Sequence, residues 1–248
     1  MTAREYDGCA LSYGGGVNST ALVVLLANEG WHGPILYAET GTEWPETDAY
    51  VTMFEREWLL ARGLTITRIG AEWRRGKEQM TLIDYCEHYR VTPFAGMRWC
   101  TNKWKVEPIQ RWCATNDYTE ADALIGISAE EARRMPNRER PLVEQGIDRN
   151  ACARIIIAEG LPLPRKSGCW ICPFMSPRQW QELMTVHPDL FERAARLEEL
   201  SSERRGLVGK TAFTPGGEYT LRQLAERIAA QGTLLDWLDY YQPCQCRI

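Results

Sequence analysis

The first 130 residues alternate between short apolar runs and longer segments in which apolar and polar positions mix with a helical period. Short, nearly continuous apolar runs are typical of strands buried on both faces, and strands that alternate with helices predict a parallel sheet. We therefore predict a doubly wound α/β domain over residues 1–135. Its predicted strands are residues 8–13, 33–38, 64–69 and 123–127, and its predicted helices are residues 17–27, 45–58 and 103–115.

The pattern changes after residue 135, where strand-like runs give way to charged and helical segments. The last helical segment opens on Thr220-x-x-Gln223, which has the pattern of a capping box. We predict a helical, cysteine-bearing region over residues 136–248 that packs on the first domain as one unit. The predicted helices of this region are residues 150–160, 177–186, 189–201 and 220–230.

Composition narrows the class of protein without naming a function. Hydrophobic residues make up 44% of the chain and charged residues 25%, which excludes a collagen and a disordered chain. The net charge of -4 gives no general attraction to nucleic acid. No apolar run approaches the roughly 20 residues of a membrane span, and no secretory signal is visible. We predict a cytoplasmic protein with no membrane partner.

The nine cysteines are the first chemical clue. In a reducing compartment, clustered cysteines indicate metal ligands or sulfur chemistry rather than disulfides. Cys169 and Cys172 form a C-x-x-C-P motif, a spacing at which two thiolates bind one metal centre from a tight turn. Three other cysteines fall in apolar or helical settings and are predicted to be small buried side chains, namely Cys9, Cys86 and Cys113.

A predicted strand runs into three glycines and then into a predicted helix, an arrangement that binds phosphate. Gly14–Gly16 let the backbone approach a phosphate closely, and the helix start supplies N–H donors and a positive dipole end. A P-loop would need a lysine, which is absent nearby. The dinucleotide fingerprint would need glycine where Ser19 stands, although Glu39 has the position of a ribose-binding acid.

Residues 13–20 (YGGGVNST) resemble the pyrophosphate loop of the PP-loop ATPases, usually written SGG-x-D-S. The chain departs from that motif at Gly14, where the family usually has serine, and at Asn18, where it usually has aspartate. Residues 36–47 (LYAETGTEWPET) and 126–134 (GISAEEARR) are similar to segments of the PAPS reductase branch of this superfamily. The chain is identified as a PAPS reductase-like member with an adenine nucleotide α-hydrolase-like fold, of the phage and bacterial type.

The resemblance implies an adenine-nucleotide site, for ATP or a related nucleotide, with Mg²⁺ as a companion of the phosphates. Ser19 and Thr20 would donate hydroxyls to phosphate oxygens, and Arg133 or Arg134 would clamp a phosphate or sulfate. The predicted nucleotide-binding residues are Ser12, Gly14, Gly15, Gly16, Asn18, Ser19, Thr20, Glu39, Thr40, Gly41, Gly126, Arg133 and Arg134.

The resemblance also implies a metal centre. Residues 98–108 (RWCTNKWKVEP) resemble the R-x-C-T-x-x-x-K-x-x-P segment of PAPS reductase-like proteins and add Cys100 to the C-x-x-C pair. In this family a four-thiolate set implies a [4Fe–4S] cluster, and tetrahedral zinc takes the same four ligands. Cys244 and Cys246 are alternatives for the fourth ligand. The predicted ligands are Cys100, Cys152, Cys169 and Cys172.

Two activities follow from the resemblance. In the first, the protein cleaves ATP to AMP and pyrophosphate and activates an oxygen for replacement by sulfur, with a sulfur-donor protein and a nucleic acid acceptor. In the second, it reduces a sulfonucleotide (PAPS or APS) to sulfite with a thioredoxin-like reductant. We favour the first because the Glu-Cys-Gly tail motif of the reductases is absent. Ser19, Cys244 and Cys246 are the predicted catalytic residues. A nucleotide-binding Fe–S or zinc protein without catalysis is the third interpretation.

Overall fold

The computed structural model describes residues 6, 8–71, 73–75, 78–118, 123–133, 140–206, 213 and 219–231. They form two compact units whose segments alternate along the chain. The first unit takes the described residues up to 71 and those from 103 to 167, and the second takes those from 73 to 102 and from 168 onward to 231. The predicted division at residue 135 stays a prediction, while residues 140–167 group with the first unit.

The described residues contain the following strands and helices, numbered along the chain. The elements are β1 (Ala10–Tyr13), α1 (Val17–Asn28), β2 (Ile35–Glu39), α2 (Pro45–Phe54), β3 (Ile66–Gly70), β4 (Arg74–Arg75), β5 (Glu78–Gln79), α3 (Leu82–Tyr89), α4 (Trp99–Thr101), α5 (Glu107–Thr115), β6 (Ala123–Ile125), α6 (Pro141–Glu144), α7 (Arg149–Ala158), α8 (Pro177–Val186), α9 (Pro188–Arg205) and α10 (Leu221–Gln231). Short π-helical turns cover Glu55–Leu59 and Asn102–Val106, and 3₁₀ turns cover Leu60–Arg62 and Ala129–Glu131.

The first unit is built on a parallel sheet of four strands in the order β3-β2-β1-β6. Leu11 of β1 pairs with Ile35 of β2 on one side and with Leu124 of β6 on the other. All three side chains are fully buried, as expected of strands that helices flank on both sides. The predicted α/β fold is confirmed. Each strand is shorter than predicted at one end, and β2 and β3 end one residue later than predicted.

Helix α1 is hydrophobic almost all round, because it is covered by the sheet on one side and by α7 on another. Leu22 and Leu26 of α1 share a buried cluster with Ile156 of α7. Helix α2 begins with Pro45 at its first turn, where the missing N–H costs nothing, and its continuation ends at Gly63 in the left-handed region. Helix α1 therefore fixes the end of residues 14–16, which follow β1, and helix α2 fixes the end of residues 40–44, which follow β2.

The second unit is helical apart from the short β4–β5 hairpin. Helix α9 packs against α3, α8 and α10, and Trp180 of α8 is fully buried with its indole N–H donating to the Phe213 carbonyl (3.3 Å). The predicted capping box is present, since the Thr220 N–H donates to Gln223 and the Gln223 N–H donates to the Thr220 hydroxyl. None of the helices in the described part of the chain combines the length and apolar character needed to span a membrane.

Candidate functional site

The carboxyl ends of β1, β2 and β6 lie side by side because the three strands are parallel neighbours. The segments that leave them are residues 14–16, 40–44 and 126–131. In open parallel sheets, ligands bind at this edge, where the connecting segments diverge. The predicted nucleotide-binding residues of these three segments therefore share one edge of the first unit.

The glycine-rich turn between β1 and α1 requires glycine at two of its positions. Gly15 has φ +67°, and a Cβ there would lie 2.9 Å from Thr47 Cγ2 and 3.0 Å from Val51 Cγ2. A Cβ on Gly16 would lie 2.6 Å from Ser167 Oγ. The turn is thus packed between α2 and the segment that ends at Ser167. The N–H groups of the first turn of α1 have no partner within that helix, which makes its start a phosphate-binding position.

Ser19 and Thr20 stand at the start of α1 but have different surroundings. The Ser19 hydroxyl donates to the Gly16 carbonyl (3.2 Å) and accepts from the Gly14 N–H (3.3 Å), so it braces the turn. The Thr20 hydroxyl is fully buried and shares a hydrogen bond with the Tyr13 hydroxyl (3.1 Å). Burial raises the pKa of Tyr13, which stays neutral. Of the two predicted phosphate hydroxyls, Ser19 is therefore the one held on the turn itself.

Asn18 joins the turn to the segment after β6. Its side-chain amide donates to Ser128 Oγ (3.0 Å) and to Glu131 Oε2 (3.2 Å). Its Oδ1 atom is buried and accepts no hydrogen bond from the described residues. A carboxylate at position 18 would face the Glu131 carboxylate, whereas an amide donates to it. Sequence reasoning identified Asn18 as a departure and included Glu131 only as part of the segment 126–134. It missed the contacts of Asn18 with Ser128 and Glu131, which explain the amide.

The segment after β2 is braced by one buried carboxylate. Glu43 accepts from the N–H groups of Thr40 (3.1 Å) and Gly41 (3.0 Å) and from the Thr40 hydroxyl (2.6 Å). The N–H groups of these two predicted ligands are thus engaged by Glu43. Glu39 is exposed and forms an ion pair with Arg68 (3.0 Å), of a kind that contributes little to stability. Sequence reasoning missed the role of Glu43.

A tyrosine that is hydrogen-bonded to a carboxyl group lies next to the glycine-rich turn. The Tyr37 hydroxyl donates to Asp48 Oδ1 (3.0 Å), and the Tyr37 ring would lie 3.8 Å from a Cβ on Gly15. Burial raises the pKa of Asp48, and the nearby Glu43 and Glu39 carboxylates raise it further. Burial likewise raises the pKa of Tyr37. The Asp48 carboxyl is therefore favoured in its neutral form or beside a cation.

The other predicted ligands divide between structural and exposed positions. Gly126 lies against the first turn of α1, since a Cβ there would come within 2.6 Å of Ser19 Cα. Ser12 is half-buried within β1, where it pairs with Leu36 and Ile125. Arg133 is exposed, and Arg134 lies outside the described residues.

An arginine that the sequence did not single out lies near this edge. The Arg165 guanidinium stacks on Trp44, with Cζ 3.5 Å from the ring centroid, and Trp44 is 1% exposed at the start of α2. Arg165 is two residues before Ser167, whose side chain packs on Gly16. From the sequence, residues 161–166 (LPLPRK) are predicted only to be extended, because of their two prolines. A guanidinium held by stacking has its N–H groups fixed in direction, which suits an anionic ligand.

Three predicted metal ligands belong to the second unit. Cys169 and Cys172 form a turn in which the Cys172 N–H donates to the Cys169 carbonyl (3.1 Å), and both are half-buried. Cys100 is half-buried in α4. None of the seven cysteines among the described residues forms a disulfide. No three Cys, His, Asp or Glu side chains in the described ranges are already gathered so as to hold a metal ion.

Cys152, the fourth predicted ligand, belongs to the first unit. It lies in α7 with no exposed surface and is part of the buried cluster around α1. Burial raises the pKa of Cys152 to about 12, with smaller contributions from Glu130 and Asp148. A thiol in these surroundings stays protonated and packs as a small hydrophobic side chain. The other cysteine candidates, Cys244 and Cys246, lie outside the described residues.

The structure is an α/β fold in which a glycine-rich turn lies at the edge of the parallel sheet where such folds bind ligands. Residues 8–151, more than half of the chain, match the phosphoadenosine phosphosulfate reductase domain. The chain therefore belongs to that family, and the resemblance found in its motifs is confirmed.

Solved structures agree with this assignment at the level of fold. The crystal structure of phosphoadenylyl-sulfate (PAPS) reductase from Candida auris, in a phosphate complex, matches with a TM-score of 0.50 and 13% sequence identity. The match covers 68% of this chain and 89% of that chain. At such low identity the likeness shows a shared fold. A comparison with curated proteins found no match.

Proposed function

We propose that the protein is an ATP-dependent sulfurtransferase of the PAPS reductase family, in which a thiolate-bound metal centre takes part in sulfur transfer. The observation that carries the nucleotide part is the Asn18–Glu131 contact (3.2 Å) at the start of α1. It places a carboxylate beside a turn whose other features favour anions. A bare carboxylate would repel a polyphosphate, so this arrangement favours a nucleotide that arrives with a divalent cation.

Mg²⁺ fits the oxygen donors at this position. The buried Asn18 Oδ1 atom accepts no hydrogen bond from the described residues, and Glu131 supplies a carboxylate. Amide and carboxylate oxygens are ligands that Mg²⁺ accepts while it keeps several waters. When bound, the ion would neutralise part of the triphosphate charge. Asn18 would then hold the phosphate turn and the Glu131 side chain in one fixed arrangement.

The residues of the turn would bind and orient the phosphates. The N–H groups of the first turn of α1 would donate to phosphate oxygens in front of Gly14–Gly16. The Ser19 hydroxyl, whose proton goes to the Gly16 carbonyl in this structure, would turn to donate to a phosphate. Arg165, held on Trp44, would add a positive charge. In the proposed reaction an acceptor oxygen bonds to the α-phosphorus, the α–β anhydride bond breaks, and pyrophosphate leaves. A sulfur nucleophile then displaces AMP together with that oxygen.

The sulfur step would use cysteines. Cys100, Cys169 and Cys172 are the thiols proposed to hold a [4Fe–4S] cluster, with zinc as the alternative metal. Such a cluster supplies a site where sulfur or an electron can be exchanged. Cys244 and Cys246 remain the proposed nucleophiles, with a sulfur-donor protein and a nucleic acid as proposed partners.

Pyrophosphate release from ATP and Mg²⁺ tests this proposal. Ser19→Ala removes a hydrogen bond to a charged phosphate, worth about 1.5–3 kcal/mol, so kcat/KM should fall about 10- to 150-fold. Thr115→Ala is the matched control, because that exposed hydroxyl only donates to the Arg111 carbonyl within α5. Absence of pyrophosphate release from the wild-type protein with any acceptor, or equal activity of both variants, would contradict the proposal.

Sulfonucleotide reduction is the second candidate, and the family match supports it. The same turn would bind the phosphates of PAPS or APS, and a C-terminal cysteine would take the sulfo group. Sulfite release with reduced thioredoxin, abolished by Cys246→Ser and independent of Mg²⁺, would favour this candidate. Nucleotide binding in calorimetry without either turnover would favour a binding protein.

A further inference from the structure

Helix α3 carries a cysteine that no motif singled out. Cys86 lies on the inner side of α3 with no exposed surface. Contacts between residues that neighbour these cysteines place three segments that are distant in sequence in one region of the second unit.

Ring contacts place α3 beside the segment of Cys100. Tyr85 precedes Cys86, Trp99 precedes Cys100, and the rings of Tyr85 and Trp99 lie 5.6 Å apart between centroids. Contact between the residues next to each cysteine keeps the two backbones close to each other.

An arginine links α3 to the C-x-x-C turn. Glu87, which follows Cys86, accepts from Arg193 Nε (2.6 Å) and Nη2 (2.9 Å). The Arg193 guanidinium also lies 6.0 Å from the centroid of the Trp170 ring, and Trp170 follows Cys169. The helix with Cys86 and the turn with Cys169 are thus held by the same side chain.

A third contact connects the segment of Cys100 to the turn of Cys172. Arg98 has φ +27°, a conformation that costs energy for a residue with a side chain. Its guanidinium carbon lies 5.8 Å from the ring centroid of Phe174, two residues after Cys172. The strained turn directs α4, and with it Cys100, toward the C-x-x-C segment.

We propose that Cys86, Cys100, Cys169 and Cys172 are the four ligands of the metal centre, and that Cys86 takes the place expected for Cys152. This assignment rests on the thiolate centre of the proposed function and is independent of the nucleotide chemistry. Each thiol would lose its proton when the metal binds. No three Cys, His, Asp or Glu side chains among the described residues are arranged to hold a metal ion in this structure. The four thiols would therefore have to rotate toward a common point when the metal binds.

The protein surroundings of this set suit a metal centre. Tyr85, Trp99 and Trp170 would limit solvent access, which tunes the potential of a cluster. Arg98 and Arg193 would offset part of its negative charge. Cys152, in contrast, packs in the buried cluster of the first unit.

Metal content of serine variants tests the assignment. The full chain is prepared without oxygen, and iron, acid-labile sulfide and zinc are measured per chain together with the visible and electron paramagnetic resonance spectra. Cys86→Ser should lose most of its metal or change its spectra, whereas Cys152→Ser should keep both. Cys113→Ser is the matched control, because Cys113 is a buried helical thiol (1% exposed) outside the set. Full metal and unchanged spectra in Cys86→Ser would overturn the assignment.

A measurement on the wild-type chain covers the case in which Cys86→Ser does not fold. Metal-loaded and metal-stripped protein are alkylated in urea just below the unfolding transition, and the modified cysteines are identified by mass spectrometry. Loading should protect Cys86 and leave Cys113 and Cys152 as reactive as in the stripped protein. Protection of Cys152 instead of Cys86 would overturn the ligand set alone. A wild-type chain without iron or zinc would overturn the metal centre, while pyrophosphate release would still test the nucleotide chemistry.

Discussion

Replacing Asn18 by aspartate tests two explanations of the amide at this position. Either the amide marks a defective phosphate motif, or it is needed as a hydrogen-bond donor to Glu131. The family motif has aspartate at this position, so a defective motif would be repaired by the substitution. The contacts predict the opposite. Asn18→Asp removes the amide that donates to Ser128 (3.0 Å) and Glu131 (3.2 Å) and places a second carboxylate beside Glu131.

The expected loss in the free energy of unfolding of Asn18→Asp has two sources. A hydrogen bond to a charged group contributes about 1.5–3 kcal/mol, and two like charges about 4 Å apart repel by about 4 kcal/mol at an effective dielectric constant of about 20. Protonation limits the loss, because a carboxyl with an unfolded pKa of about 3.9 takes up a proton at pH 8 at a cost of about 5.6 kcal/mol and can then donate to Glu131 again. We expect Asn18→Asp to lower the free energy of unfolding by about 4–6 kcal/mol at pH 8 without divalent cations.

The loss should depend on pH with a defined sign. A carboxyl whose pKa is raised in the folded state binds its proton more tightly when folded, so stability falls as pH rises above the unfolded pKa of about 3.9. Urea unfolding should therefore show a smaller difference between Asn18→Asp and the wild-type protein at pH 5 than at pH 8. Mg²⁺ should reduce the difference at pH 8 if this position binds the ion.

The double variant Asn18→Asp/Glu131→Gln is the control, since it restores the contact with donor and acceptor exchanged. It should recover most of the lost stability, which no purely local effect of aspartate in the first turn of α1 would do. A single variant as stable as the wild-type protein at pH 8 without divalent cations would refute the reasoning. So would a double variant that is less stable than the single one.

Three further predictions address the turn, the segment after β2 and α7. Gly16→Ala should weaken nucleotide binding about 5- to 100-fold in calorimetry, because its Cβ would lie 2.6 Å from Ser167 Oγ, and Ser167→Ala should partly restore binding in the double variant. Glu43→Ala leaves the N–H groups of Thr40 and Gly41 without their carboxylate, so thermal unfolding should show a loss of about 2–4 kcal/mol, and an unchanged midpoint would count against it. Cys152→Ser places a hydroxyl in the buried cluster of the first unit and should cost about 1–3 kcal/mol in urea unfolding, with a larger loss than Cys9→Ser, since Cys9 is half-buried.

The sheet was predictable because its information is local. Four apolar runs with glycines and prolines at their ends indicated β1, β2, β3 and β6, and the glycine-rich turn followed from residues adjacent in sequence. Helices α8, α9 and α10 of the second unit followed in the same way from caps and periodicity, as at Thr220 and Gln223, whereas α3 and α4 were not predicted. Short-range signals were therefore enough for the elements and for the edge at which they meet.

The contacts that give the site its character are not local. Asn18 and Glu131 are 113 residues apart, and Ser167 packs on Gly16 from a segment in which sequence reasoning saw only prolines. Each of these residues has an ordinary local setting, so its partner becomes visible only when the chain is folded. Cys86 is the same case, since a thiol on the inner side of a helix has the same sequence pattern whether it packs or binds a metal.

The departures from the family motif make physical sense when each is taken together with its contacts. At the glycine-rich turn, position 18 has lost a carboxylate, but Glu131 brings one to the same place, and Asn18 is the donor that holds it. The turn therefore keeps one carboxylate rather than none. If Asn18 had simply disabled the turn, Glu131→Gln would leave nucleotide binding unchanged. A loss of Mg²⁺-dependent binding in that variant would show that Glu131 supplies the carboxylate of this site.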